Sequence, residues 1–142
     1  MKSRMLVSLL LALVMLAALA TPALAGKPEK GFFHREIGEP SGWGKYSLQV
    51  TRLNQIKVTV VLKDATPLKQ YRLILNYGVT PSLGNGKALD YITADDNGNI
   101  RYTTKTTIAT SNKYVRLKFL HHPYLAINSS FYGDVEELTF KT

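Results

Sequence analysis

Asp95, Asp96, Asn97 and Asn99 lie within five residues of one another. Oxygen-bearing side chains at alternating positions suit a hard cation such as Ca²⁺. An EF-hand loop counted from Asp95 puts Thr106 at its twelfth position, where a bidentate carboxylate is required. The same residues suit a tight turn, because Asp and Asn bond back to their own backbone. The turn is the reading we adopt.

His121 and His122 are neighbours, so in an extended segment they face opposite ways, whereas a chelating pair on a strand needs a spacing of two. Pro123 keeps the local chain out of a helix, and His34 is distant in sequence. The chain has no Gly-x-Ser-x-Gly elbow, no Ser-x-x-Lys, no His-Glu-x-x-His and no phosphate-cradling loop. Glu136 and Glu137 are adjacent and would point to opposite faces of a strand, which suits no paired-acid hydrolysis. With no Cys, the chain has no disulfides, thiolate metal sites or Cys nucleophiles. We therefore read a non-enzyme without cofactor or metal. The rival is a small secreted hydrolase or metalloprotein that uses His121 or His122.

The basic residues offer different chemistry. Lys57, Lys63, Arg72, Arg101, Lys105, Arg116 and Lys118 all fall at positions that strand alternation turns outward. Such residues keep a sheet protein apart from its neighbours. They can also attract anionic polymers: wall polyanions, acidic polysaccharide, lipid head groups or extracellular nucleic acid. Trp43 and the loop aromatics Tyr124, Phe131 and Tyr132 are candidate additional contacts. No recognised nucleic-acid module is present, so specific nucleic-acid binding is not expected. The partner expected is an anionic polymer or a cell-envelope protein.

The elements that position these residues are strands. Ile56, Val58, Val60 and Leu62 alternate with Lys57, Thr59, Val61 and Lys63. The same period of two runs through Tyr71 to Tyr77, Ile100 to Ile108, Val115 to Phe119, and Leu138 to Phe140. Residues 46–53 and 88–93 add two more strands, and Thr, Val, Ile and Tyr dominate throughout. Asp64-Ala65-Thr66-Pro67 ends one strand. Asp96-Asn97-Gly98-Asn99 predicts a hairpin turn, since Asn-Gly tolerates positive φ. About seven short strands broken in this way predict an all-β, antiparallel β-sandwich.

The stretches VTVVLKDATPLKQYRLILNYG, ITADDNGNIRYTT and KYVRLKFLHHP resemble a type of small exported prokaryotic β-sandwich, similar to immunoglobulin-like or transthyretin-like domains. The resemblance covers roughly residues 50–120. It implies a fold, export and a corner tyrosine that packs. It implies no activity, because such sandwiches host many functions.

Residues 1–25 complete the organisation. Lys2 and Arg4 precede an apolar run from Leu6 to Leu19, and Ala23-Leu24-Ala25 presents small residues at a cleavage site. This reads as a bacterial-style signal peptide cut after Ala25, with a secreted or periplasmic/cell-envelope destination. The formal charge of +8 becomes +6 without it, and the apolar share falls from 45% to about 38%. No later segment approaches membrane length. Residues 26–45, with five Gly and two Pro, show no period and read as an N-terminal arm or linker. Residues 46–142 form the sandwich. Residues 128–130, Asn-Ser-Ser, fit the N-glycosylation pattern, which matters only in a eukaryotic host. The function expected is a secreted interaction module that contacts anionic polymers through an outward basic face. A further rival is a subunit that assembles a surface multimer by edge-strand pairing.

Overall fold

A computed structural model describes residues 26–35, 43–121 and 131–140. The proposed signal peptide, His122, Tyr124 and residues 128–130 lie outside the described residues. No helix among the described residues is long and apolar enough to cross a membrane.

The described chain is all-β. Its ten strands are β1 Glu29–Phe32, β2 His34–Arg35, β3 Trp43–Arg52, β4 Gln55–Lys63, β5 Gln70–Gly78, β6 Asn85–Thr93, β7 Ile100–Thr107, β8 Tyr114–His121, β9 Phe131–Tyr132 and β10 Glu136–Glu137. They build two antiparallel sheets. The first runs β1-β3-β4-β7; the second runs β2-β9-β8-β5-β6, with β10 also on β8. The chain makes the β3–β4 hairpin, crosses to the β5–β6 hairpin, returns for β7 and crosses again for β8. The two antiparallel sheets pack together as a β-sandwich.

Alternation builds the core. Leu48, Ile56, Val58, Val60 and Leu62 from the first sheet meet Leu73, Leu75, Val115 and Leu117 from the second, all fully buried. Each such side chain contributes about 1.5–3 kcal/mol by leaving water. Phe119 is packed edge-on by Phe33 (5.3 Å) and Tyr71 (6.3 Å), and Tyr71 also meets Phe131 (6.1 Å). Tyr71 is the expected corner tyrosine: it is fully buried, and its hydroxyl accepts the Thr66 N–H at 3.1 Å.

Three features differ from the sequence reading. Residues 26–45 show no period, yet their described part carries β1 and β2. Gly31 supplies no side chain to alternate, because a Cβ there would overlap the Tyr46 ring. Phe33 carries the chain from one sheet to the other, its side chain buried and its N–H bonded to the Gly44 carbonyl.

The Asn97-Gly98 turn, in turn, joins no hairpin. It links β6 of the second sheet to β7 of the first. The turn chemistry itself is present: Gly98 has φ +78°, and its N–H bonds the Asp95 carbonyl. Sequence shows that the chain reverses there, but not which sheet it enters.

The final strand also differs. Leu138 is buried, but the ladder lies earlier, at β9 and β10, which share one side of β8 and are interrupted near Gly133. Together with β1 and β2, this split raises the count from about seven to ten.

Candidate functional site

The two-sheet arrangement divides the seven basic residues. Lys57 and Lys63 on β4 and Arg101 and Lys105 on β7 lie on the outer face of the first sheet. Arg72 on β5 and Arg116 and Lys118 on β8 lie on the outer face of the second. The sequence-expected basic face is therefore two faces on opposite sides of the sandwich.

The first-sheet face is the richer one. Register sets Lys57 opposite Lys105, and Val61 between Lys45 and Arg101. Lys30 lies opposite Ser47, Phe32 opposite Lys45, and Trp43 opposite Lys63. Six cations thus share this face: Lys30, Lys45, Lys57, Lys63, Arg101 and Lys105. Among the described residues no carboxylate occupies an outward position of β1, β3, β4 or β7, and none of the six forms an ion pair. Strands lie about 4.8 Å apart, so opposed cations such as Lys57 and Lys105 repel at close range and cost stability. A row of hydroxyls, Ser47, Thr59 and Thr103, runs between the cation rows.

Aromatics share one end of the face. Phe32 is 67% exposed and Trp43 45% exposed. The Lys63 ammonium sits 5.3 Å from the Trp43 ring centroid, a cation–π contact. Beside Phe32 lies a groove of about 480 Å³, lined by Lys30, Phe32, Lys45, Ser47, Thr59 and Val61, with Gly31 and Tyr46 below. Sequence reading missed Lys30 and Lys45 because their segment had no period. The signal available was local: Lys30 and Phe32 are two residues apart, as on one face of a strand.

The second-sheet face is different. Arg72, Arg116 and Lys118 are half-buried. The Arg72 guanidinium packs 5.9 Å from the Tyr91 ring. Tyr132 is half-buried on β9. Phe131 is fully buried, which overturns its reading as a contact residue: it belongs to the core against Tyr71.

Asp95 and His34, two of the other candidates, each make a local hydrogen bond. Asp95 Oδ1 accepts the N–H groups of Asn97 (2.9 Å) and Asn99 (2.8 Å), so this carboxylate oxygen holds the turn. His34 Nε2 bonds Asp134 Oδ1 at 2.8 Å on an exposed edge. The His121 backbone pairs with Tyr71 at the end of β8. Among the described residues no group of three or more His, Cys, Asp or Glu could hold a metal ion.

Glu136 and Glu137 separate as expected. Glu137 is exposed, while Glu136 turns inward and accepts the Tyr46 hydroxyl at 2.6 Å. That phenol also accepts the Asp134 N–H at 3.2 Å. Burial, then the bond to Glu136, raises the Tyr46 pKa above the ordinary phenol range. Because the fold binds the phenolic proton more tightly than the unfolded chain, stability is full below pH of about 10 and falls as pH rises above it. Tyr46→Phe is expected to lose about 1–3 kcal/mol at neutral pH, since Glu136 and the Asp134 N–H lose their partner. Its alkaline loss of stability should be shallower than that of the parent. Urea melts at several pH values between about 7 and 11 read both effects. Tyr102, raised by burial and by its bond to Asp90 (2.7 Å), keeps part of the slope.

A further expectation follows from the opposed lysines. Lys105→Glu replaces a repelling pair with an attracting one, so stability should rise by about 0.5 kcal/mol at low salt, read as a higher urea midpoint with an unchanged slope. Comparison with protein-family models, curated proteins and solved structures finds no match to this chain.

Proposed function

We propose that this protein is an exported, non-enzymatic β-sandwich that binds anionic polymers of the cell envelope or extracellular space through the outer face of its first sheet. One observation carries the reading: six cations gather on that face, two of them directly opposed, with no carboxylate among the described residues to neutralise them. A face evolved only for solubility mixes both signs of charge. A face of one sign concentrates counter-ions and steers an anionic partner toward it.

Lys57, Lys63, Arg101 and Lys105 are the residues that bind, joined by Lys30 and Lys45. The export part of the reading rests on the sequence of residues 1–25, and predicts a mature chain beginning at Gly26. The test is chromatography of the mature protein on immobilised heparin. Retention at low salt that weakens steeply with salt supports the reading. Flow-through of the folded protein at low salt would overturn it.

A further inference from the structure

The groove beside Phe32 has a composition that charge attraction alone does not require. Its apolar part is the outward side chain of Val61, beside the backbone at Gly31 and Tyr46. Its rim carries the exposed Phe32 ring, and its walls carry Lys30, Lys45, Ser47 and Thr59. A polyphosphate would use the ammonium groups and leave the ring and the apolar part without a partner. A flat bilayer would meet protruding groups and leave a concavity empty. A pyranose ring uses all of them. Its C–H face lies on an aromatic ring, its hydroxyls meet Ser and Thr hydroxyls, and an acidic substituent meets the ammonium groups.

The site also lacks what a neutral sugar prefers. Among the described residues no carboxylate lines the groove to accept sugar hydroxyls. The two lysines therefore select a ring that carries its own negative charge. The groove is continuous with the remaining cations of the face, since Phe32 and Lys45 share a register row with Arg101 across Val61. A chain bound in the groove can extend over that row.

We propose that this groove is a sugar subsite for an acidic polysaccharide, one whose rings bear carboxylate or sulfate groups. The inference rests on the proposed polyanion-binding function and specifies its ligand. Phe32 is the stacking platform, and Lys30 and Lys45 take the acidic substituent.

The test compares two soluble probes of similar charge, an oligogalacturonate and an inorganic polyphosphate, by calorimetry at low salt. The variants are Phe32→Ala, at an exposed position, and Lys30→Gln with Lys45→Gln. Phe32→Ala is expected to weaken oligogalacturonate binding about tenfold and to leave polyphosphate binding unchanged. The lysine variant is expected to weaken both. Equal effects of Phe32→Ala on both probes, or no effect on either, would overturn the subsite while the charge reading stands. Binding of anionic phosphatidylglycerol vesicles that is lost in Phe32→Ala, with oligogalacturonate binding unchanged, would assign the groove to lipid and overturn it. If the parent protein binds no polyanion, the proposed function fails, and the subsite with it.

Discussion

Reversing three charges on the first-sheet face, Lys57→Glu with Arg101→Glu and Lys105→Glu, is expected to abolish retention on immobilised polyanion. A basic side chain near an anionic surface contributes about 1 kcal/mol. Three lost contacts and three new repulsions together reach about 4 kcal/mol, roughly a thousandfold in affinity. The salt dependence should collapse as well, because its slope counts the cations that displace counter-ions. Lys57, Arg101 and Lys105 are exposed on strands whose opposite face supplies the core, so the variant keeps its buried contacts. A cooperative urea transition confirms folding; because both members of the opposed Lys57–Lys105 pair are reversed, one like-charge pair replaces another and stability should stay near the parent's. Unchanged retention would place binding elsewhere on the molecule.

The second large effect concerns the fold that presents this face. Gly98 has φ +78°, a left-handed conformation that costs a non-glycine residue about 1–2 kcal/mol. An added Cβ would also overlap the carbonyl oxygen of Ala65, a backbone atom with little freedom to move. The Ala65 N–H is bonded to the Gly98 carbonyl, and Ala65 is itself buried. The clash therefore falls on the corner that carries the chain from β4 to β5, and overpacking adds about 1–3 kcal/mol. Gly98→Ala should lose about 2–5 kcal/mol in a urea melt, a large part of a small domain's stability. A loss below 1 kcal/mol would show that the corner adjusts without strain.

Much of this architecture was legible in the sequence. The inward set Ile56, Val58, Val60 and Leu62 and the outward set Lys57 and Lys63 follow from a period of two, and the burial pattern of β4 repeats them. The corner tyrosine was legible as Tyr71 after Thr66-Pro67. Strand pairing between distant segments was not. Alternation tells which residues share a face of one strand, but not which strands share a sheet. Arg101 and Arg116 look equivalent in sequence, yet β7 joins the first sheet and β8 the second. The Asn97-Gly98 turn misled for the same reason, because a hairpin and a crossover use the same local backbone chemistry. Lys30 and Lys45 were hidden by a different effect. Gly31 and Gly44 occupy the inward positions beside them and break the apolar period. Both are glycines because Tyr46, Leu62 and the Val61 carbonyl already fill the space a side chain would take.

The edge-strand reading retains a geometric basis, since β7 and β6 are the outer strands on one side of the two sheets. That side is partly closed by Tyr102 bonding Asp90 and by the Lys87 ammonium donating to the Thr107 carbonyl (3.2 Å). Outward charges at Arg101 and Lys105 also guard β7, as charged side chains do on exposed sheet edges.

The central claim is that binding belongs to one face and not to net charge. Two charge-matched variants test it most directly: Lys57→Gln with Lys105→Gln on the first sheet, and Arg116→Gln with Lys118→Gln on the second. Each removes two positive charges, so a net-charge effect weakens both alike. Heparin affinity measured across a salt series should fall about tenfold or more, with a shallower slope, only for the first-sheet variant. Equal losses in the two variants, or a larger loss in the second, would contradict the account.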